Sequence, residues 1–510
     1  MAKFGFLIDD RKCIGCHACT VACKQEHDVP LGDFRTWVKY IEKGQFPHTQ
    51  RHFSVMRCNH CERPPCVEIC PVTALYKRPD GIVDFDPQVC IGCKACMGAC
   101  PYDALFINPD TGAANKCNFC AHRIEVQREP PCVTVCPEQA IVMGDLDDPG
   151  SNINQLIRTE RATVRAPEKA TRPQLFYVEA DAASLKPLAA PPADQYLWSR
   201  PRDSVMPLAP GERALEPTAT RTYDVSHAQP WGWKVSAYLY TKSVASGGFW
   251  LPALLYAWHR DEAHWQLLLS GSFMALFFLA VTGVLLIWDL KRPHKFLNLF
   301  LRPQWKSWLT RGTFIISGYG AVLTAFLALA WHEHAPSPPW HAVAYSLLIA
   351  AGVSLGVLSA AYTGWLFQQC EARDLWHSHK LPTHLVVQAG LAAAALLLFS
   401  PAGAGGIHAF ERWTAFFIAV EAIAFLPDKW NVHRKPRASA HLREASALLT
   451  RGLFKVDFWG GVLVAGHLVP LVLLLTGTSF GIVLAVLLSQ FGLMLYEHIF
   501  VQAGQAVPIS

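Results

Sequence analysis

The chain has 510 residues, 51% of them hydrophobic and 17% charged, with a formal net charge of +5. That length allows two or three domains, and the composition is apolar for a soluble protein. The basic loops between apolar stretches are better explained by membrane topology than by nucleic acid.

The opening MAKFGFLIDDRKCIGC has no charged region followed by an apolar run and a cleavage site, and no twin-arginine pair. No signal peptide is therefore expected. Residues 1 to about 145 hold sixteen of the seventeen cysteines. They form four groups: Cys13-Cys16-Cys19-Cys23, Cys58-Cys61-Cys66-Cys70, Cys90-Cys93-Cys96-Cys100 and Cys117-Cys120-Cys132-Cys136. In an unexported segment such clustering points to metal ligation rather than disulfides. The third group reads C-x2-C-x2-C-x3-C-P, the spacing of a bacterial ferredoxin. Sixteen thiolates are what four cubane [4Fe-4S] clusters need. Residues 4–9 and 81–86 alternate as strands ahead of cysteine loops, and Ala-rich pieces after the loops read as short helices. The rhythm recurs about four times, which predicts a duplicated ferredoxin-like α+β domain. Pro71, Pro101 and Pro137 each follow the last cysteine of a group, whereas Cys23 precedes Lys24. A fourth cysteine in this spacing points to the neighbouring cluster.

Residues 145–225 carry no cysteine and many prolines and alanines, including Pro187, Pro191, Pro192, Pro201, Pro207, Pro210 and Pro217. They read as a partly extended linker, with 174–179 a candidate strand returning to the cysteine domain. Eight apolar stretches follow, near 232–257, 264–288, 312–331, 341–367, 383–400, 409–427, 456–476 and 479–500. Each is long enough for a membrane helix. Lys291, Arg292, Lys295, Arg302, Lys306 and Arg311 crowd the second connection, Arg373 and Lys380 the fourth, and Lys429, Arg434, Lys435, Arg437, Arg443, Arg451 and Lys455 the sixth. The other side has Arg260 and Arg412. The positive-inside rule then puts both termini and the cysteine domain in the cytoplasm, against the inner membrane.

The first ~180 residues resemble the four-cluster electron-transfer subunit of dimethyl sulfoxide reductase superfamily molybdoenzymes. The residues that carry this are the four cysteine groups, above all Cys58-Asn59-His60-Cys61 and Cys90-Ile91-Gly92-Cys93. The second part resembles the eight-helix, quinone-binding anchor of polysulfide-reductase (NrfD-like) type. That match rests on Trp231-Gly232-Trp233, Tyr238, Gly247-Gly248, 289–293, Ser307-Trp308 and Arg311-Gly312. The resemblance implies domains at 1–180 and 231–505 joined by a linker at 181–230. It also implies a cluster partition. One cluster takes Cys13, Cys16, Cys19 and Cys136; the next takes Cys117, Cys120, Cys132 and Cys23. The third takes Cys58, Cys61, Cys66 and Cys100; the fourth, nearest the membrane, takes Cys90, Cys93, Cys96 and Cys70. The implied partners are a molybdopterin-containing catalytic subunit, the quinone pool (ubiquinone or menaquinone) and the lipid bilayer, with no nucleic acid.

A quinone needs an apolar slot, polar groups at its carbonyl oxygens and a source of protons. His227, Trp233, Lys234, Tyr238, Arg311 and Tyr362 are candidates to bind it, with Tyr238 and Asp289 placed to act on it. Ionisable groups deep in lipid are functional candidates, here Lys242, Glu421 and His467, with Glu421 the first choice for proton handling. His467 is the single deep histidine apparent in the sequence, so no haem pair is expected. Cys370, at a helix end, reads as a structural thiol. No Walker loop, dinucleotide fingerprint or catalytic serine or cysteine constellation is present. The expected function is that of an electron-transfer and anchor subunit, placed between a cytoplasm-facing catalytic partner and quinone. Sulfur compounds are the first substrate class and substrate oxidation the preferred direction. The alternative is the iron–sulfur and quinone module of a proton-translocating complex without a molybdopterin partner.

Overall fold

The computed structural model describes residues 2–45, 48–192, 219–331, 340–399, 407–435 and 438–510. In the amino-terminal part, strand β1 (Phe4–Asp9) lies between two later strands of the chain. With β2 (Thr36–Gln45), β3 (His48–Arg57), β4 (Leu75–Lys77), β5 (Val83–Phe85), β6 (Phe106–Ile107), β7 (Ala114–Asn115), β8 (Ile141–Asp145), β9 (Leu175–Val178) and β10 (Ala219–Tyr223), the domain forms two small sheets and two hairpins. β1 pairs antiparallel with β8 and parallel with β9. The strand expected at 174–179 thus returns to the cysteine domain. β2 pairs with β3 over their full length and takes β10 on its other edge.

Short helices follow the cysteine loops: Ala18–His27, Pro65–Ile69, Ala95–Ala99, Ala121–Ile124 and Pro131–Thr134. The two C-I-G-C turns need glycine. Gly15 and Gly92 sit at φ 70 and 69°, and a Cβ on Gly92 would lie 2.6 Å from the Gly112 carbonyl and 2.7 Å from Lys291 Cβ. Gly92 therefore lets the cysteine loop touch the helical part of the chain.

The stretch read as linker is partly built into this domain. β10 lies within 181–230, and Ile41, Ala183, Ala189, Ala190 and Ala219 form a small core. Alanine can pack flat against β2, but from composition alone it reads as low complexity. Pro201, Pro207, Pro210 and Pro217 lie outside the described residues.

Eight long helical segments follow among the described residues. They are α1 (Trp233–His259), α2 (Glu262–Asp289), α3 (Trp308–Trp331), α4 (Trp340–Gln368), α5 (Leu381–Leu397), α6 (Ile407–Val420), α7 (Val469–Leu475, entered through a π-helical run, Asp457–Leu468) and α8 (Ser479–Ala506). Five of them are long and apolar enough to cross a membrane: α2, α3, α4, the segment ending in α7, and α8. α5 is apolar but shorter. α1 fails on composition because it carries Lys234, Lys242 and a run of small polar residues. Its middle is buried against other helices, so it need not be apolar all round. A Cβ on Gly247 would fall 2.0 Å from the Ala389 carbonyl, which shows how closely α1 and α5 approach. α6 continues through a π-helical turn, Glu421–Phe425, before Pro427.

One hydrophobic core joins the two parts. It runs from Phe6, Ile69 and Ile91 among the cysteine loops to Trp231, Tyr238, Leu366, Phe367, Trp376 and Phe500 at the helix ends.

Candidate functional site

None of the seventeen cysteines is paired in a disulfide. Cys13, Cys19 and Cys136 face one another, as do Cys23, Cys117, Cys120 and Cys132. Cys58, Cys61, Cys66 and Cys100 form another set. Cys70, Cys90, Cys93 and Cys96 line one cavity. Each set thus draws one cysteine from a different sequence group. Cys16 is exposed at the surface beside Ile14.

The donor chemistry fits iron–sulfur clusters. Burial pushes the Cys13, Cys23, Cys93 and Cys100 thiols up to about 12 and Cys19 to about 11. Thiols this crowded and dry do not ionise together without local positive charge, which bound metal supplies. Donors also point at the sulfurs: Gly92 N and Ala114 N to Cys90 Sγ at 3.4 Å, Ala140 N to Cys136 Sγ at 3.3 Å, and Arg57 Nη1 to Cys132 Sγ at 3.2 Å. Such bonds are among the features that set cluster potentials.

Cys93 also lines a second cavity, of about 240 Å³, at the helix ends. Its walls are mostly apolar, from Leu286, Leu309, Ile316 and Leu366, and its polar groups include Tyr238, Asp289, Ser317 and Tyr362. Asp289 ends α2, where a negative charge opposes the helix dipole. The compensation is Lys94, whose Nζ lies 2.8 Å from Asp289 Oδ2 in a nearly buried ion pair. The Trp231 indole N–H donates to the Cys93 carbonyl at 3.3 Å while its ring lines the cavity.

Of the candidate quinone residues, Tyr238, Asp289 and Tyr362 converge on this cavity; the other four lie outside its lining. His227 pairs with Asp103 at 3.4 Å. Trp233 stacks edge-on against Trp288, and Lys234 donates to the Trp288 carbonyl at 3.2 Å, capping the end of α2. Arg311 donates to the Trp305 carbonyl at 2.7 Å. It is two residues from both Leu309 and Thr313, which line the cavity, and so faces the other way.

Glu421 belongs to a separate cluster inside the bundle. His384 Nε2 lies 3.0 Å from Glu421 Oε1, and Gln388 Nε2 donates to the same oxygen at 2.9 Å. His467 Nε2 lies 3.8 Å from Oε2. His467 is therefore not the single deep histidine: His384 is 2% exposed. It sits in the first turn of α5. Lys242 donates to the Ala360 carbonyl at 3.2 Å and to Thr363 Oγ1 at 2.5 Å, and lies 4.9 Å over the Tyr362 ring. The carboxylate of Glu497 on α8, also buried, is an opposite charge within its electrostatic reach. Cys370 is wholly buried and packs beside Gly98.

Lys94, the Trp231 indole N–H, His384, Gln388 and Glu497 are among the polar groups that sequence reading did not assign to a site. A lysine between two cluster cysteines carries no signal of its target. The signal available for His384 was its four-residue spacing from Gln388, which puts both on one face of α5.

Two family models match the chain: a 4Fe-4S dicluster domain over residues 49–146 and polysulphide reductase, NrfD, over residues 222–509. The first part is similar to a tetrathionate reductase subunit of Salmonella typhimurium, 44% identical over 201 residues, covering 38% of this chain and 80% of that protein. It is also similar to a polysulfide reductase component of Wolinella succinogenes, 42% identical over 182 residues, covering 34% and 94%. The thiosulfate reductase electron transfer subunit of Salmonella typhi is 46% identical over 149 residues, covering 29% and 78%.

Proposed function

The protein belongs to the polysulphide reductase NrfD family and is an electron-transfer and membrane-anchor subunit of respiratory reductase type; from that premise we propose that it links a molybdopterin catalytic subunit to membrane quinone. The observation that carries this reading is that Cys93 lines the same cavity as Tyr238, Asp289 and Tyr362. In the proposal four [4Fe-4S] clusters supply one-electron transfer, with fifteen cysteines partitioned as the thiols face one another and Cys16 joining Cys13, Cys19 and Cys136 by its place in the first sequence group. Tyr238 and Tyr362 orient a quinone ring by its carbonyl oxygens, and Asp289 exchanges protons with it. The apolar wall keeps bulk water from the reacting oxygens. At the far end Ile14 and Val135 are exposed beside the first set of thiols, an apolar border suited to the partner.

The eight-span reading, with both termini and the cysteine domain on the cytoplasmic side, is supported by the charge of the loops. α1 and α5, whose middles are buried against other helices, then span surrounded largely by protein. The relatives above are named as reductases of tetrathionate, polysulfide and thiosulfate. Their names favour quinol oxidation and reduction of a sulfur compound by the partner, the reverse of the direction preferred from sequence. Co-purification tests the reading: a molybdopterin-bearing protein should follow the detergent-solubilised chain. Its absence from every preparation that retains full iron content would refute the partner.

A second reading concerns protons. Glu421 is held by His384, Gln388 and His467 at the meeting of two π-helical runs, which are frequent at functional sites. We propose that this buried cluster takes up and releases a proton during quinone turnover.

A further inference from the structure

The sequence contains one short pattern twice: Arg57-Cys58-Asn59-His60-Cys61 and Lys116-Cys117-Asn118-Phe119-Cys120. In both, a cation directly precedes the first cysteine of a group. Both cations are wholly buried. The two loops pack together, with His60 and Phe119, equivalent in the pattern, edge to face at 5.3 Å.

The side chains cross over. Arg57 belongs by sequence to the Cys58 group, yet its Nη1 donates to Cys132 Sγ at 3.2 Å, and Cys117 and Cys19 also face it. Lys116 belongs to the Cys117 group, yet its ammonium faces Cys58 and Cys66. Lys116 is held by the carbonyls of Val83 and Cys117. Arg57 lies 4.5 Å over the Phe6 ring, which stacks on Phe119 at 3.9 Å. Arg57 Nε and Nη2 have no hydrogen-bond partner among the described residues. Buried N–H groups are seldom left unpaired, and sulfur is the acceptor chemistry closest to this cradle.

We propose that Arg57 and Lys116 are a crossed pair of positioning cations. Each would raise the potential of the cluster held by the other's sequence group and so keep the two middle clusters reducible together. The proposal rests on the four-cluster reading above. The physical reason is charge. A cluster held by four thiolates becomes more negative on reduction, and a fixed cation in a dry interior favours the reduced form. Arginine and lysine at these depths stay in place because rings and carbonyls hold them, so the effect needs no conformational change.

The test is an EPR-monitored redox titration of the full-length protein in its purified complex, with iron and sulfide measured first. An iron content short of four clusters in the wild type would refute the four-cluster reading and not the cation pair. Given full content, Arg57→Gln should lower the potential of the cluster on Cys117, Cys120, Cys132 and Cys23. Lys116→Gln should lower that of the cluster on Cys58, Cys61, Cys66 and Cys100. The charge-keeping variants Arg57→Lys and Lys116→Arg should stay near the wild type. Neutral variants with full iron and unmoved potentials would overturn the proposal, as would shifts confined to each cation's own sequence group. If the neutral variants fail to assemble, ENDOR on wild-type protein labelled with 15N-arginine decides. It should show a nitrogen coupled to a cluster that is lost in Arg57→Lys, and absence of that coupling in the wild type would overturn the proposal.

Discussion

Replacing Lys94 with methionine would break the ion pair that ties the third cysteine loop to the end of α2. Lys94 Nζ lies 2.8 Å from one Asp289 oxygen and 2.9 Å from the other, with side chains 8% and 15% exposed. At an effective dielectric of about 20 the attraction at such a distance is about 6 kcal/mol. Desolvation offsets much of this, and removing one partner of a buried pair costs about 3–5 kcal/mol because a lone charge stays behind. Here that charge would be Asp289, at the wall of an apolar cavity. The contact it secures is visible in the backbone: Lys291 N donates to the Gly92 carbonyl at 3.2 Å and Arg292 N to the Ile91 carbonyl at 3.3 Å. Hydrogen exchange at those two amides reports local opening. A loss of about 3 kcal/mol should speed it roughly a hundredfold in Lys94→Met. The double variant Lys94→Met/Asp289→Leu leaves no buried charge and should recover most of the protection. Exchange in the double variant faster than in either single variant would refute the coupling.

Glu421→Gln should lower proton uptake per electron when the complex turns over in liposomes; an unchanged ratio would remove Glu421 from proton handling. Gly312→Ala would put a Cβ 2.1 Å from Tyr362 Cε2. The ring must move, so the KM for a quinone analogue should rise several-fold with full iron content retained, and an unchanged KM would place the ring outside the quinone site. Burial lowers Lys39 to about 7 in the folded domain, opposed in part by Asp224. Between about pH 7 and 10.5 the unfolded chain therefore binds more protons, so stability should rise with pH across that window. Thermal bleaching of the cluster chromophore should show the rise and should lose it in Lys39→Met; equal slopes in both proteins would contradict it.

Reading the sequence worked where one residue type carries the chemistry by itself. The cysteine spacings singled out thiols that the fold gathers into facing sets, and strand alternation located β1, β5 and β9. The long helices lie close to their expected limits because their apolar runs are long and are bounded by charged or turn-forming loops. It failed where meaning depends on a distant partner. Lys94 and Asp289 are far apart in sequence, and only packing brings them to 2.8 Å. Trp233, Lys234 and Arg311 have the right composition for a quinone site. Helix phase and free carbonyls at helix ends turn them elsewhere. His384 was missed because it lies in the first turn of α5, and burial in a bundle depends on neighbouring helices rather than on distance from a helix end. The alanines at 183, 189 and 190 looked like linker because small side chains give no periodic signal.

The central claim is that electrons pass between the cysteine domain and quinone at the cavity shared by Cys93 and Tyr238. Stopped-flow spectroscopy tests it directly: the reduced, purified complex is mixed with a water-soluble quinone analogue and the cluster absorbance is followed. The account predicts rapid re-oxidation of the clusters in the wild type, slowed at least tenfold in Tyr238→Phe and in Asp289→Asn with cluster content unchanged. Clusters that are fully assembled yet re-oxidise at the same rate in all three proteins would contradict it.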